Sequence, residues 1–357
     1  MADQAEGTAK PTVALDGFGA ERGFDVLAEG ARRAAAEGIR VRIFGPPDEL
    51  GLEGADGIEV APTSEWIGND EEPVAAVRSR PESSIVRAAH DVAEGRAGAI
   101  ATVGSTGAAM AAATFGLRRL RGVQRPALAV LLPIPGKPVL FLDVGANVEV
   151  RPQHLVQFAF IGAAFSEAVL GVSGPRVGLL TVGAESGKGR PGVVEAHRML
   201  TAAQGIDFVG NLEGDDLPAA AADVVVTDGF TGNVALKLME GTAKVVTGAI
   251  RDAARSNPIA AAGGLLMRPA LGSLRSEFEP DSTGGAVLLG LRSAAVVGHG
   301  SSGPDGVANV VRLAARCVEQ RAVERTAELL RSAHAMRGDL AEPPPPAARR
   351  GVIGSAP

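Results

Sequence analysis

Side chains and backbone groups that could bind an anion or a carbonyl oxygen lie close together in the segment Ala222–Lys237, ADVVVTDGFTGNVALK. Its three consecutive valines predict a buried strand, and the aliphatic run at its end predicts a helix. The polar turn between them follows the carboxyl end of the strand, which is where ligands bind in open α/β sheets. The candidate binding residues of this turn are Asp228, Gly229, Thr231, Gly232 and Asn233.

Other turns of the same kind follow predicted strands, and we expect them to converge with this turn on one carboxyl edge of a sheet. Glycine lets the backbone approach a ligand closely, and the amides that begin a helix favour an anion. These turns lie at 16–21, 104–107, 143–147, 183–189 and 298–303. Their candidate binding residues are Asp16, Gly17, Gly104, Ser105, Thr106, Gly107, Asp143, Asn147, Lys188 and His299.

Two common phosphate-binding motifs do not account for these turns. Gly17, Gly19 and Gly23 are spaced one residue too widely for the dinucleotide fingerprint. Lys188 is followed by Gly189, where a P-loop has serine or threonine. What remains is a loop with one lysine, which is either solvated or a point charge that binds phosphate.

The elements that must position these turns alternate between strand and helix from Thr12 to about Arg337, which predicts a doubly wound α/β fold. We expect one helix over Pro152–Leu170, a long helix that ends near Ser256, and a final helix from Pro304 to Arg337. The predicted organisation is one α/β domain over 12–337, between a disordered tail at 1–11 and a disordered proline-rich tail at 338–357.

Composition argues against several classes of protein. The net charge of −6 and an aromatic content of 3% argue against nucleic-acid binding. The five histidines are scattered without metal-ligand spacing, so we expect no metal. The single cysteine, Cys317, is expected to be a buried apolar residue and not a nucleophile. The first residues lack an apolar segment, which predicts a cytoplasmic protein.

Residues 258–267, PIAAAGGLLM, form an apolar segment within a predicted helical hairpin at 238–280. The segment is too short to cross a bilayer, which requires roughly 18 apolar residues. Such a segment is typical of a subunit interface, or of a surface that rests on a membrane or holds an acyl chain.

Several motifs, taken in order, resemble those of the PlsX family of phosphate acyltransferases. They are LDVGAN at 142–147, PQHLVQFA at 152–159, GNLEGDDL at 210–217, DVVVTDGFTGNVALK at 223–237, GGAVLLGL at 284–291 and HGSS at 299–302. The resemblance covers the chain from Val13 to about Leu330. It implies the fold of isocitrate and isopropylmalate dehydrogenases, a three-layer mixed sheet with a protruding helical hairpin. It implies no cofactor.

The resemblance also implies a reaction in which a fatty acyl group moves from acyl-acyl carrier protein to inorganic phosphate, giving acyl phosphate for phospholipid synthesis. It further implies a homodimer and a peripheral membrane contact, for which 258–267 is the candidate. Phosphate is already an anion and a thiol leaves readily, so no serine or cysteine nucleophile is required. The site must supply position and hydrogen-bond donors. We expect Lys188 to bind phosphate and Asn233 to donate to the thioester oxygen or phosphate.

Two loops depart from the family pattern: DGFGAE at 16–21 stands where the family has DAMGGD, and Ser105 replaces the asparagine of GNTG. One alternative is therefore a catalytically altered homologue that binds the carrier protein as a scaffold. A second alternative is a nicotinamide-dependent dehydrogenase of the same fold. That enzyme would need a nicotinamide site and metal-binding carboxylates, which we do not find in the sequence.

Overall fold

The computed structural model describes residues 10–132, 134, 137–267 and 284–340. Its strands are β1 (Thr12–Asp16), β2 (Arg40–Gly45), β3 (Ile58–Pro62), β4 (Ala99–Thr102), β5 (Ala127–Leu132), β6 (Val139–Leu142), β7 (Arg176–Leu180), β8 (Asp207–Leu212), β9 (Val224–Val226), β10 (Ala286–Leu289) and β11 (Ala294–Val297). Its helices are α1 (Phe24–Ala36), α2 (Pro47–Leu50), α3 (Pro73–Ser79), α4 (Ser84–Ala93), α5 (Thr106–Gly116), α6 (Pro152–Leu170), α7 (Pro191–Ala202), α8 (Gly229–Arg255), α9 (described over 258–267), α10 (Pro304–Glu319) and α11 (Ala322–Ser332).

The described strands form one mixed sheet in the order β3-β2-β1-β4-β11-β10-β5-β6-β9-β7-β8. The first five strands in this order are parallel to one another. The pairs β11–β10, β10–β5 and β5–β6 are antiparallel, and β6, β9, β7 and β8 are again parallel to one another. Because three reversals follow in succession, β6, β9 and β7 point opposite to β1, β4 and β11.

Helices cover both faces of the sheet, which is why central strands such as β1, β4 and β6 are buried along nearly their whole length. On one face, α1, α6 and α10 contribute Leu27, Phe158 and Val307 to the hydrophobic core. On the other face, α4 and α5 contribute Ile85 and Ala109. The predicted three-layer α/β fold with a mixed sheet is confirmed.

Two long helices begin at the ends of strands, where the sequence predicts them. α6 begins at Pro152 and ends at Leu170, and proline fits this first position because its missing N–H would have no partner there. α8 begins at Gly229 and ends at Arg255, one residue before the predicted end. α9 turns back against α8, since a Cβ on Gly264 would lie 2.9 Å from the Cβ of Ala254.

The prediction of one final helix over 304–337 is wrong. α10 ends at Glu319 and α11 begins at Ala322, because Arg321 between them has a φ of 52°, in the left-handed region. Other predictions concern residues 1–9, 268–280 and 341–357, which lie outside the described part of the chain. The division into one domain and two tails stays a prediction.

Candidate functional site

The predicted site residues form two groups at opposite edges of the sheet. The first cluster, residues 16–21, 104–107 and 298–303, follows β1, β4 and β11. The second cluster, residues 143–147, 183–190 and 228–233, follows β6, β7 and β9. The expectation that all these turns converge on one edge is wrong, because the second group of strands runs in the opposite direction.

The distance between the two clusters follows from sheet geometry. A four-residue strand such as β6 is about 13 Å long, at roughly 3.3 Å per residue. β11 and β6 are also separated by two other strands, or about 14 Å across the sheet. Residues of the two clusters therefore cannot contact the same small ligand within one chain.

A buried carboxylate, Asp16, organises the first cluster. It accepts hydrogen bonds from Ser84 Oγ at 2.5 Å, from Thr102 Oγ1 at 2.8 Å and from the Phe18 amide at 3.3 Å. Burial raises the pKa of Asp16 to about 6, although these hydrogen bonds lower it in part. Asp16 joins β1, α4 and β4, and its oxygens already have partners. It is a positioning residue.

The loop before α5 lies directly against the loop after β1. A Cβ on Gly19, whose φ is +89°, would lie 2.2 Å from the Cα of Gly104, so only glycine permits this approach. Ser105 caps the helix by accepting a hydrogen bond from the Ala108 amide at 3.4 Å. The amides of Thr106 and Gly107 have no acceptor among the described residues. They are therefore available to an anion at the helix N-terminus.

The third turn of the first cluster carries His299. The Glu21 amide donates to the Gly300 carbonyl at 2.8 Å, which holds this turn against the loop after β1. His299 is exposed, and its Nδ1 lies 2.9 Å from Ser301 Oγ. Gly17 contributes by packing, because its amide donates to the Phe44 carbonyl at 2.9 Å and a Cβ there would lie 2.5 Å from the same oxygen.

A second buried carboxylate, Asp143, organises the second cluster. It accepts hydrogen bonds from the amides of Leu128, Gly145, Ala146 and Asn147 at 2.7 to 3.2 Å, and from Asn147 Nδ2 at 2.8 Å. Burial raises its pKa despite these donors. Asn147 also donates to the Pro126 carbonyl at 2.7 Å. Both side chains therefore shape the turn and do not project from it.

The start of α8 packs tightly on this turn. A Cβ on Gly232 would lie 1.9 Å from the Asp143 carbonyl oxygen, and a Cβ on Gly229 would lie 2.7 Å from that of Asn147. The amides of Gly229, Thr231 and Gly232 donate to Asn147, to the Asp228 carboxylate and to the Asp228 carbonyl. The idea that Gly229–Gly232 offers these amides to a ligand is therefore wrong.

Asp228 caps α8 and pairs with Arg190, which precedes α7. This ion pair links the loop that carries Lys188 to the start of α8. Arg190 is not among the residues predicted from sequence, where its one signal is its position two residues after Lys188. Thr231 Oγ1 also donates to Asp228 at 2.8 Å, so this carboxylate is fully engaged.

Lys188 and Asn233 are the second-cluster candidates that face solvent. Both are exposed, and the side chain of Asn233 has no hydrogen-bond partner within the described ranges. Lys237, by contrast, pairs with Glu240 at 2.9 Å. Nearby, burial together with Arg125 and Arg151 lowers the pKa of His154 to about 4, so that imidazole is neutral at pH 7. Two arginines thus lie close to His154 at this edge of the sheet.

Two other chemistries find no support in the described part of the chain. No group of three or more histidine, cysteine, aspartate or glutamate residues there could hold a metal ion. Cys317 is buried, as predicted, and burial raises the pKa of its thiol to about 12. A thiol of that kind is not a nucleophile at neutral pH.

Comparison with known proteins matches residues 11–325 to the family model described as fatty acid synthesis protein. A phosphate acyltransferase from Elusimicrobium minutum is 43% identical over 316 residues, which cover 86% of this chain and 92% of the relative. A phosphate acyltransferase from Thermobifida fusca is 41% identical over 326 residues, covering 89% and 90%.

Solved structures with a similar fold include a phosphotransacetylase from Streptococcus pyogenes, with a TM-score of 0.57, 18% identity and coverage of 88% of this chain and 94% of that one. The EutD phosphotransacetylase from Staphylococcus aureus has a TM-score of 0.56, 16% identity and coverage of 87% and 94%. A 4-hydroxythreonine-4-phosphate dehydrogenase from Klebsiella pneumoniae has a TM-score of 0.51, 14% identity and coverage of 85% and 98%. At these identities the likeness shows the fold alone.

Proposed function

The chain belongs to the fatty acid synthesis protein family, and on that premise we propose that it transfers a fatty acyl group from acyl-acyl carrier protein to inorganic phosphate. Membership makes it an acyltransferase of fatty acid and phospholipid synthesis. The observation that carries the finer proposal is the 43% identity to a phosphate acyltransferase over 86% of the chain. The proposed location is the cytoplasm.

The proposed reaction needs no covalent enzyme intermediate. A phosphate oxygen attacks the thioester carbonyl carbon, the tetrahedral intermediate collapses, and the carbon–sulfur bond breaks. The products are acyl phosphate and the carrier-protein thiolate, which then takes a proton. Such a reaction is accelerated by positioning and by donors aimed at the oxyanion, and both can come from lysine, amide and backbone N–H groups.

Lys188 and Asn233 are the proposed catalytic residues of the second cluster. Lys188 binds phosphate as a point charge, and Asn233 donates a hydrogen bond to the thioester oxygen or to phosphate. Their exposure supports these roles, since the neighbouring carboxylates Asp143 and Asp228 are buried and already paired. The ion pair between Arg190 and Asp228 fixes the lysine loop relative to α8.

The first cluster supplies the open backbone donors. The amides of Thr106 and Gly107, with the hydroxyl of Ser105 beside them, bind the developing oxyanion or the attacking phosphate. His299 and Ser301 line the same edge. Gly19 lets the loop after β1 pack closely on Gly104 and so support the loop before α5.

A reaction centre that uses both clusters must combine two chains, because within one chain the clusters lie at opposite edges. We therefore place each centre between the first cluster of one protomer and the second cluster of its partner in a homodimer. A stripe on α8 supports such pairing. Val234, Leu238 and Val245 lie on one face of the helix and are 52%, 68% and 72% exposed in the single chain. The first residue of this stripe, Val234, directly follows Asn233, so the stripe starts beside the second cluster.

The membrane contact is assigned to 258–267. Within this segment, Ile259, Leu265, Leu266 and Met267 are 85%, 66%, 84% and 56% exposed. No helix within the described residues is long and apolar enough to cross a bilayer. Apolar side chains of this kind can enter the interfacial layer of a membrane without crossing it.

The membrane assignment is tested by vesicle flotation of the double variant Leu265→Glu, Leu266→Glu. We expect it to float poorly with phosphatidylglycerol vesicles on which the wild type floats. Val209→Glu serves as the matched control, since Val209 is also exposed but lies in β8. Equal flotation of the double variant and the wild type would contradict the assignment.

The catalytic proposal is tested with acyl-acyl carrier proteins of several chain lengths, with and without phosphate. We expect phosphate-dependent release of the carrier-protein thiol and an acyl phosphate that hydroxylamine traps as a hydroxamate. Binding of acyl-acyl carrier protein without loss of the acyl group would instead indicate a scaffold. Reduction of a nicotinamide cofactor by a hydroxy acid would indicate a dehydrogenase.

A further inference from the structure

A group of three aromatic side chains, one exposed and two half-buried, borders the first cluster. This aromatic patch consists of Phe18, Phe24 and Trp66. The rings of Phe18 and Trp66 are parallel within 4°, with centroids 6.1 Å apart, and Phe24 meets Phe18 edge-on at 5.4 Å. Trp66 is 47% exposed. The chain contains only one tryptophan and no tyrosine, so an exposed indole at this position requires an explanation.

The loop that carries Trp66 is held firmly in place. Arg80 donates to the Trp66 carbonyl at 2.8 Å and to Glu71 at 3.0 Å, and Glu71 accepts from the Gly68 amide at 2.9 Å. The indole is therefore exposed on an ordered loop. A rigid aromatic surface loses little conformational entropy when a ligand covers it.

The same loop is connected to the first cluster by two contacts. The Ser84 amide donates to the Glu65 carbonyl at 2.9 Å, while Ser84 Oγ donates to Asp16. At the other end of the loop, Pro73 packs on Gly107, where a Cβ would lie 2.7 Å from the proline ring. The aromatic patch thus lies beside the amides that the proposed reaction uses.

The charges around the patch indicate what kind of ligand it accepts. Glu65 and Asp70 are exposed near Trp66, and Glu71 and Glu72 follow. Glu71 is balanced by Arg80, and the Gly68 amide keeps its pKa below the usual value. These exposed carboxylates disfavour a phosphate group that lies over the rings themselves, although not one at the amides of Thr106 and Gly107. An uncharged apolar chain meets no such penalty and gains by covering aromatic carbon.

We propose that the aromatic patch binds the alkyl chain of the acyl thioester and so contributes to the chain-length preference of the enzyme. The role rests on the proposed function, because it places the thioester next to Ser105, Thr106 and Gly107. Chains that reach Trp66 gain apolar contact, and short chains do not.

Intrinsic fluorescence tests this assignment without any substitution, since Trp66 is the only tryptophan. The probes are the butyl and dodecyl thioethers of pantetheine, which lack the thioester carbonyl and cannot transfer an acyl group. We expect the dodecyl thioether to shift the emission to shorter wavelength and the butyl thioether and phosphate to leave it unchanged. An unchanged emission with the dodecyl thioether overturns the proposal. So does an equal shift with phosphatidylcholine vesicles alone, which would mark a membrane contact.

Activity gives a second readout. Trp66→Ala is expected to lower kcat/KM for dodecanoyl-acyl carrier protein about tenfold, which corresponds to the burial of roughly two methylene groups. The kcat/KM for the butanoyl substrate should change less than twofold. Trp66→Phe should retain most of the preference. Phe115→Ala is the matched control, since Phe115 is 45% exposed but lies at the far end of α5 beneath Arg78. Equal losses for both substrates in Trp66→Ala would overturn the proposal.

The two readouts separate this inference from the proposed function. A wild type that forms no acyl phosphate but shows the dodecyl-specific emission shift would refute the reaction and support the aromatic patch. A wild type that forms acyl phosphate, but whose Trp66 emission is the same with the dodecyl and the butyl thioether, would support the reaction. It would refute the proposal that the aromatic patch binds the alkyl chain.

Discussion

The two loop clusters of this enzyme are built alike but present different groups to solvent. Each has a buried aspartate at or just after the end of a strand, Asp16 at β1 and Asp143 at β6. Each also has a glycine that allows the backbones to come close. Asp16 accepts hydrogen bonds mainly from side-chain hydroxyls, so the amides that begin α5 remain unpaired within the described residues. Asp143 instead accepts hydrogen bonds from the backbone amides around it. The first cluster therefore offers two helix amides, whereas in the second cluster the amides around Asp143 and those of Gly229, Thr231 and Gly232 are already paired.

A glycine-rich turn after a strand therefore need not be a ligand loop. Gly229 and Gly232 resemble Gly104 and Gly107 in sequence context, yet the first pair serves the packing of α8 on the turn after β6. What separates the two cases is where the amides donate. The sequence does not contain that information, because it depends on which turn packs against which helix.

The largest expected effect in the second cluster is that of Lys188→Ala. Loss of the phosphate-binding charge should lower kcat/KM for phosphate about 10²- to 10³-fold, as for loss of one preorganised donor. Phosphate-saturation kinetics measure it. Lys237→Ala is the matched control, since Lys237 is exposed and pairs with Glu240. A loss of only a few fold in Lys188→Ala would show that Lys188 does not bind the reacting phosphate.

The corresponding change in the first cluster is Thr106→Pro. Thr106 is the first residue of α5, where proline keeps the helix and removes one N–H. Ser105 already has φ −59° and ψ 116°, which a following proline tolerates. We expect a loss of about 10²-fold in kcat, while Thr106→Ala, which keeps the amide, stays near wild type. Equal activity of the two variants would show that this amide is not used.

Asp16 also makes the stability of the first cluster depend on pH. Its pKa is about 6 in the folded chain and 3.8 as the ordinary value, so between these pH values the folded state holds a proton that the unfolded state has lost. The contribution of Asp16 to the free energy of unfolding is therefore highest below pH 3.8, and it falls by about 3 kcal/mol as the pH rises through 6. We expect the free energy of unfolding of Asp16→Asn, measured with urea, to lack this decrease. If the variant and the wild type changed with pH in the same way, Asp16 would not be its cause.

The smallest of these effects is expected for Asn233→Ala. It removes one neutral donor from an exposed position, so kcat should fall about tenfold with little change in the free energy of unfolding. Asn233→Asp tests the donor directly, because it keeps the size and replaces the amide by a carboxylate. Full activity in Asn233→Asp would exclude a donor role.

Much of the fold could be predicted from sequence periodicity. The strand, turn and helix of 222–237 and the boundaries of α6 follow from valine runs, a polar turn and Pro152. The error concerned strand direction. Only residues 133–138 connect β5 to β6, and residues 290–293 connect β10 to β11. Connections this short require antiparallel strands, so the reversal could have been found from loop length.

The details of the candidate site could not be predicted in the same way. The pairing of Arg190 with Asp228 and the stacking of Trp66 on Phe18 join residues far apart in sequence. Neither pair has a motif, because a lone arginine or tryptophan in a loop has many possible partners. Only the packing of the loops decides between them.

We propose that each reaction centre combines the first cluster of one protomer with the second cluster of its partner. A mixed dimer of one Thr106→Pro chain and one Lys188→Ala chain, purified through two different tags, tests this arrangement. One centre of that dimer would carry both lesions and the other none. We predict about half of the wild-type activity, although each parent homodimer is nearly inactive. A mixed dimer as inactive as its parents would show that both clusters act within a single chain and would rule out the shared reaction centre.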